Sequence, residues 1–498
     1  MHLLADFTST APSAATWFFL ILALGLALSF EFVNGFHDTA NAVATVIYTN
    51  SLKATYAVVW SGIWNLIGVL FSGGAVAYSI VALLPVELVL NVGSASGFAM
   101  VFALLISAIV WNLGTWYLGL PASSSHTLIG SILGVGLANA LLSGHTLAEG
   151  VNWVQVQKVA TALFVSPVVG FVCAALLLFV LKALIKNPEL FNEPEKGKTP
   201  PAWIRSILVL TCTGVSFAHG RNDGQKGMGL IVLILVGILP GMYALKMNES
   251  PENVHAIYAH AQSAAAIFEK KAPGITIDEN TAVETLSKFI KPAGEALSDK
   301  TFASLATVSH AIEAKLNGVK SLGDLPDDAR RTLRTDLYLT STSIAKTSKN
   351  FTDEGDKKAL GEFQGLLDGV TKYIPDWVKI AVACALGLGT MIGWKRIVVT
   401  VGEKIGKSHL TYGQGASAEL VAMITILLAD LKGMPVSTTH VLSSGVAGTM
   451  AANGSGLQAQ TLRNILLAWV LTLPVCIFLG SILFAFGNYL VLHVIVLK

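Results

Sequence analysis

Two acid-bearing motifs and two hydroxyl runs recur in the same order along this chain. The first copy reads Gly35-Phe36-His37-Asp38-Thr39-Ala40-Asn41, followed by Gly119-Leu120-Pro121-Ala122-Ser123-Ser124-Ser125-His126. The second reads His219-Gly220-Arg221-Asn222-Asp223-Gly224-Gln225-Lys226, followed by Gly433-Met434-Pro435-Val436-Ser437-Thr438-Thr439-His440. All four sit in otherwise apolar stretches, where an ionised carboxylate costs about 2.5–3.5 kcal/mol even on lenient scales. Asp38 and Asn41, three residues apart, share a helix face. With Thr39 they offer carboxylate, amide and hydroxyl oxygens, which suit a hard cation such as sodium. The second copy has Asn222 and Asp223 but carries Lys226 where the first has Asn41. An ammonium cannot coordinate a cation; paired with Asp223, it can occupy the place of one, which favours a proton as the coupling ion.

Ser123, Ser124 and Ser125, and likewise Ser437, Thr438 and Thr439, each precede an apolar helical stretch. Hydroxyls beside the free amide donors of a helix N-terminus make an anion site. Two such ends converging from opposed repeats would hold one tetrahedral oxyanion, and neutral donors grip more weakly than a bidentate arginine would, which favours release. Ordinary helix capping would explain either run alone. Gln225 is placed with the anion candidates. Glu31, two turns before Asp38, and Glu419 are further buried acids. His37, His126, His219 and His440 each neighbour a motif, and beside acids they suggest a proton path. The cation-coupling candidates are therefore Asp38, Asn41, Asn222, Asp223, Lys226, His37 and Glu419.

These residues need a membrane scaffold to hold them. The 498 residues are 53% hydrophobic and 13% charged, with a mean hydropathy of +0.63; a soluble protein carries about 25% charged residues. Asp38 precedes Pro121 by 83 positions and Asp223 precedes Pro435 by 212. The excess nearly equals one charged block, 245–376, which holds 16 Lys/Arg and 19 Asp/Glu and leaves only 17 and 12 for the rest. Without that block the halves align. The expected fold is an all-α polytopic membrane protein of two inverted-topology repeats with broken helices, plus an inserted helical soluble domain. The divisions are 1–184 (first membrane repeat), 185–205 (cytoplasmic linker), 206–244 (start of the second repeat), 245–376 (inserted domain) and 377–498 (its remainder).

Apolar stretches predict spans near 16–50, 55–84, 98–119, 121–142, 156–184, 206–244, 377–394, 412–431, 435–452 and 464–495. Proline in the Gly-Leu-Pro-Ala-Ser-Ser-Ser run forbids a regular helix there. Such backbone survives at membrane depth only where protein or a polar cavity satisfies it. Lys182, Lys186, Lys196, Lys198 and Arg205 after the fifth span, and Lys395, Arg396, Lys404 and Lys407 after the seventh, mark cytoplasmic segments. The charged block, one span from each, is then extracytoplasmic, and counting back puts the N-terminus outside. Within the block, Val254 to Lys271 and Asp299 to Leu316 read as helices, punctuated by Pro273-Gly274 and Leu325-Pro326. Cys173, Cys212, Cys384 and Cys476 lie far apart with no metal spacing. A net charge of +2 points to no nucleic-acid partner.

At these motifs the chain resembles the inorganic phosphate transporter family, the PiT group of secondary carriers. That family has a Gly-x-Asn-Asp type motif and then a Pro-x-Ser-Thr/Gly-Thr-His type motif in each half. The resemblance implies cation coupling at Asp38 and Asp223, phosphate contact at Ser123, Ser124, Ser125, Ser437, Thr438 and Thr439, and the family's second-half acid at Glu419. Three departures are visible. His37 stands where many sodium-coupled members have Asn, Asn65 where many animal members have Glu, and Lys226 replaces a common Asn. This pattern is similar to a bacterial, proton-coupled, low-affinity branch carrying phosphate, often as a neutral complex with a divalent metal such as Mg2+. The expectation is a multi-pass protein of the bacterial inner membrane that imports inorganic phosphate by symport with H+, with Na+ coupling as the alternative. No catalytic role, resident cofactor or protein-held metal is expected, and the oligomeric state stays open. Readings of another class are an anion channel and a membrane-embedded hydrolase; the latter lacks a Gly-x-Ser-x-Gly elbow. Sulfate and arsenate are rival substrates.

Overall fold

The computed structural model describes residues 14–84, 94–195, 197–291 and 294–495; Lys196 of the linker and the first 13 residues of the expected first repeat lie outside them. The described chain is helical: α1 Ala14–Asp38, α2 Ala40–Tyr48, α3 Ala54–Leu70, α4 Ala75–Val81, α5 Ala95–Tyr117, α6 Ser124–Leu142, α7 Trp153–Leu184, α8 Ala202–Ile238 and α9 Pro240–Tyr243. Then follow α10 Pro251–Lys271, α11 Glu279–Ile290, α12 Asp299–Leu316, α13 Asp327–Thr347, α14 Glu354–Thr371, α15 Asp376–Met391, α16 Lys395–Glu403, α17 Tyr412–Leu431, α18 Thr438–Asn453 and α19 Ala459–Leu490.

Ten spans were expected. Among the described residues 7 helices are long and apolar enough to cross a membrane, or up to 9 with bent pairs counted as one. The shortfall has a physical reason. Helices α15 and α18 have 16 residues each, short of the roughly 20 a hydrocarbon core requires. The expected span at 55–84 is α3 and α4, bent by 78° at their break. The other bent pair joins α15 to α14, whose charged face belongs to the insertion rather than to a span. This is a polytopic membrane protein.

Both proline-bearing breaks are built alike. Helix α5 ends with Gly119 N–H donating to Trp116 O and Leu120 N–H to Thr115 O, both at 2.9 Å. Helix α17 ends with Gly433 N–H donating to Asp430 O and Met434 N–H to Ala429 O, again both at 2.9 Å. Gly119 (φ 66°) and Gly433 (φ 63°) take the left-handed conformation that this Schellman closure needs. The chain then runs through Pro121 or Pro435 and re-enters a helix at Ser124 or Thr438.

Helix pairing is reciprocal between the halves. Helix α1 packs on α15 while α3 packs on α8; α6 packs on α19 while α18 packs on α7. Glycines let the backbones touch, as is usual between membrane helices. A Cβ on Gly35 would lie 2.3 Å from Leu386 O and one on Gly220 2.1 Å from Asn65 O. At the other crossings, a Cβ on Gly134 would lie 2.1 Å from Ile477 O and one on Gly448 2.2 Å from Phe171 O. Pro167 and Pro474 sit inside the matching long helices α7 and α19.

The insertion has an apolar core of its own, with Phe268, Leu305, Leu337 and Phe363 fully buried. Its expected helices Val254–Lys271 and Asp299–Leu316 fall on α10 and α12. The two ends of the insertion meet, since Lys246 N–H donates to Val370 O at 3.0 Å. A long block can therefore interrupt α9 and α15 without parting them. Tyr78 Oη donates to Tyr373 O at 2.9 Å, tying the exit of the block to α4.

The glycine crossings are testable. Gly448→Ala and Gly134→Ala should each destabilise the detergent-solubilised protein by about 1–3 kcal/mol through overpacking. Gly25→Ala, where a Cβ meets nothing within 4 Å, should leave the thermal unfolding midpoint unchanged. Equal midpoints for all three variants would contradict this packing.

Candidate functional site

The two hydroxyl runs begin α6 and α18, and those two helix N-termini meet. Ser125 Oγ donates to Val436 O across the junction at 2.7 Å. The His126 and His440 rings lie 4.6 Å apart, and His440 is packed on Trp469 at 4.0 Å between centroids. Trp469 Nε1 in turn donates to Pro121 O at 3.0 Å, pinning the first break to α19. The first hydroxyl of each run is a helix cap: Ser123 Oγ accepts from His126 N–H at 3.2 Å and Ser437 Oγ from His440 N–H at 3.1 Å. The capping reading thus holds for one residue in each run. The next two residues of each run carry amide donors that have no partner within their own helix. Ser124 Oγ is buried with no hydrogen-bond partner among the described residues.

Asp38 closes α1 at this junction. Thr438 Oγ1 donates to its Oδ2 at 3.3 Å, and Thr439 Oγ1 donates to its Oδ1. A carboxylate here also faces the positive end of α18. Asn41, one turn on, donates to Thr439 Oγ1 at 3.1 Å, and its Oδ1 has no partner among the described residues. On α8, Lys226 Nζ lies 2.7 Å from Asp223 Oδ2 and donates to Ser125 Oγ at 2.5 Å. In the aligned motifs Lys226 matches Asn41 and Ser125 matches Thr439. Lys226 therefore makes, in the second half, the contact that Asn41 makes in the first. Asn222 donates to Met434 O at 3.2 Å, leaving its Oδ1 without a partner among the described residues.

His219 links the two aspartates. Its Nε2 lies 3.5 Å from Asp38 Oδ2 and 3.5 Å from Asp223 Oδ2. Its Nδ1 lies 2.7 Å from Asn65 Oδ1. The roles along this chain follow from Thr390, whose hydroxyl donates to Leu386 O at 2.9 Å. Asn65 Nδ2 then donates to Thr390 Oγ1 at 3.1 Å, so Asn65 Oδ1 accepts and His219 Nδ1 donates. A neutral ring would aim the Nε2 lone pair at two carboxylates; a proton there, or a cation between the three groups, removes that repulsion. One ligand atom from each of Asp38, His219 and Asp223 lies within 4.8 Å of the others, a spacing compatible with a small cation. His37 approaches Asp38 from the other side, with Nδ1 at 3.7 Å from Oδ1 and Nε2 at 3.1 Å from Thr115 Oγ1.

Other expected residues lie elsewhere. Both ends of the Gln225 amide are engaged: Oε1 accepts from Gly74 N–H and Val76 N–H at 2.9 Å each, and Nε2 donates to Asp430 Oδ1 at 2.5 Å and to Arg221 O at 2.7 Å. Gln225 fixes the start of α4, and Asp430 is also paired with Arg221 at 2.8 Å. Thr39 donates to Gly35 O and Thr390 O, so its hydroxyl serves helix packing. Glu419 is fully buried and accepts from Thr211 Oγ1 at 2.5 Å. Thr211 precedes Asp223 by 12 residues on α8, about 18 Å of helix, so Glu419 stands apart from Asp223; Thr45, one turn past Asn41, also contacts it. Glu31 is fully buried against Gly227, the residue after Lys226, where any Cβ would clash with it.

Sequence reasoning left His219 out of the cation group and made nothing of Asn65's polarity. The four-residue spacing of His219 and Asp223 was a readable signal, because it places both on one helix face. Asn65 had no such signal, since its partner comes from α8.

Long apolar helices around a closed cluster of acids, hydroxyls and helix N-termini from both halves define a polytopic membrane transporter. A model of the phosphate transporter family matches residues 34–480. The low-affinity inorganic phosphate transporters PitA and PitB of Escherichia coli K12 are 44% and 42% identical, each covering 94% of this chain and 96% of the relative. A probable low-affinity inorganic phosphate transporter of Bacillus subtilis is 28% identical over 94% of this chain and 97% of its own. A solved structure, that of the sodium-dependent phosphate transporter, superposes with a TM-score of 0.51 at 18% identity, covering 94% of this chain and 98% of that one, and so shares the fold. The chain belongs to the phosphate transporter family.

Replacing Gln225 by Leu would leave two buried amides and part of Asp430 without partners, at about 1–3 kcal/mol per unsatisfied group. The Gln225→Leu protein should unfold at a clearly lower temperature than the wild type. Indistinguishable midpoints would show that the amide does not hold α4.

Proposed function

We propose that this protein imports inorganic phosphate across the bacterial inner membrane by proton symport. The reading rests on one observation: two hydroxyl-bearing helix N-termini meet each other and the two buried aspartates. Phosphate would be held by Ser124, Ser125, Thr438 and Thr439 with the amides of α6 and α18, while Ser123 and Ser437 keep those ends capped. Neutral donors at two positive helix ends suit a multiply charged oxyanion that must also be released. Reciprocal helix pairing supports two inverted repeats that rock about this junction, with the 245–376 insertion on the extracytoplasmic side.

Counting the charges of the aspartate cluster supports a coupled proton. Asp38 and Asp223 carry two negative charges and Lys226 supplies one positive. Lys226 fills, in the second half, the position that Asn41 leaves open in the first, so the protein carries one cation itself. The remaining charge is balanced by a proton on His219 Nε2, shared between both aspartates. A divalent ion such as Mg2+ would travel with the phosphate as part of the cargo. Sodium is the second reading. It is favoured by Asn41 Oδ1 beside Asp38, which has no partner among the described residues, and by the sodium dependence in the structural neighbour's name.

Proteoliposome uptake decides between them. A proton gradient alone should drive accumulation of labelled phosphate that a protonophore abolishes, whereas a strict need for a sodium gradient would eliminate the proton reading. Unlabelled phosphate should compete better than sulfate, and chelating divalent ions should lower uptake if a metal complex is the cargo. Asp38→Asn and His219→Asn should each lower uptake by about tenfold or more, the scale on which a buried charge contact is lost. Lys226→Asn should impair proton-driven uptake and make the residual transport sodium-sensitive. Saturation and counterflow, as opposed to linear flux, separate a carrier from a channel.

A further inference from the structure

Several cations in the insertion have carboxylate or carbonyl partners at short range, and others are simply exposed to solvent; two partly buried ones fit neither description. Lys315 lies 2.6 Å from both Asp336 and Glu279, Lys372 lies 2.7 Å from Asp368, and Lys346 donates to Phe289 O at 2.5 Å. Arg330 pairs with Asp327. The side chains of Arg331 and Arg334, on the same α13, have neither an ion pair nor a hydrogen bond among the described residues. Yet both are only partly exposed and both Nε atoms are buried. A guanidinium carries five donors and a permanent charge, so leaving two of them unmatched is costly unless an anion completes them.

Their placement is specific. Spacings of three and four residues put Arg331, Arg334 and Tyr338 on one face of α13. Arg334 stands 6.0 Å from the Tyr338 ring centroid. Burial lowers the Arg334 pKa from its ordinary value, and only Tyr338 and Tyr78 counter this; no carboxylate does. Tyr78 belongs to α4, so this face of the insertion looks onto a membrane element. Val76, two residues before Tyr78 and about 3 Å away along the axis, donates its amide to Gln225. Gln225 is two residues from Asp223. Arg334 therefore stands at the edge of the insertion, beside the short helix that Gln225 anchors to α8.

We propose that Arg331 and Arg334 form an oxyanion-holding antechamber that takes up phosphate before it enters the transport site. This rests on the reading that phosphate approaches from the side of the insertion. Two forks on one face can match a tetrahedral dianion, and their field raises the local anion concentration. A phospholipid headgroup offers the same chemistry. The buried Nε atoms and the neighbouring Tyr78 favour the free anion.

The test is phosphate uptake kinetics of full-length protein in vesicles of purely zwitterionic lipid, and again with anionic lipid added. Arg331→Gln/Arg334→Gln should raise KM for phosphate about tenfold at low ionic strength, leave kcat within about twofold, and lose much of that difference in high salt. Arg331→Gln alone should raise KM about threefold, which keeps the question decidable if the double variant misfolds. Lysine at either position should restore the salt-sensitive part of the affinity but not the whole, because an ammonium lacks the guanidinium fork. An unchanged KM, or a fall in kcat at constant KM, overturns the antechamber. An effect seen only with anionic lipid overturns it in favour of headgroup binding. Failure of the wild-type protein to take up phosphate would instead defeat the transport reading on which this rests.

Discussion

Asp38 and Asp223 must be kept charged, or neutralised, inside apolar helices, and most of the membrane architecture answers that demand. A carboxylate in hydrocarbon is unfavourable by kilocalories; Asp223 meets Lys226 and His219 on its own helix, but Asp38 relies on groups from the other half. Asp38 ends a helix of the first half, and the hydroxyls that reach it, Thr438 and Thr439, start a helix of the second. The lysine beside Asp223 reaches across to Ser125 of the first half. Asp38, and the lysine that pairs with Asp223, are therefore fully partnered only once the two halves are assembled. The glycine crossings and paired proline breaks bring the backbones close enough for that exchange.

The exchange is nearly symmetric, and its one exception carries the chemistry. Asn41 and Lys226 hold matching positions and make matching contacts, yet one is neutral and the other charged. The asymmetry leaves an open oxygen beside Asp38 and a filled place beside Asp223. His219 stands between them because Asn65 and Thr390 orient its ring from a third and fourth helix. Gly227, next to Lys226, makes room for Glu31, so a further buried acid lies close to the lysine's end of α8.

The hydroxyl runs divide their work within three residues. The first hydroxyl closes its own helix, and the next two turn to the junction. Local capping and ligand-facing donors are thus two consequences of one interrupted helix. The break exposes amides that would otherwise bond in the helix, and the proline ahead of it ensures that no ladder reclaims them. Gln225 shows the same economy: it looks like a ligand in the motif, but in space it anchors α4, whose start presents two amide donors to its one oxygen.

Local pattern determined a good deal of this. Apolar periodicity and scarce charge marked the membrane helices, proline and glycine marked the two breaks, and charge density marked the insertion, because each depends on the residue's own solvation or backbone freedom. The repeated motifs likewise singled out Asp38, Asp223 and both hydroxyl runs. What the chain order could not reveal was partnership. The short reach of α15 and α18, the bend between α3 and α4, the separation of Glu419 from Asp223, the engagement of Gln225 and the position of His219 between two acids all depend on contacts between residues far apart in the chain. Hydrogen bonds and ion pairs depend on distance in space, and only the packed helices decided which polar groups came within reach.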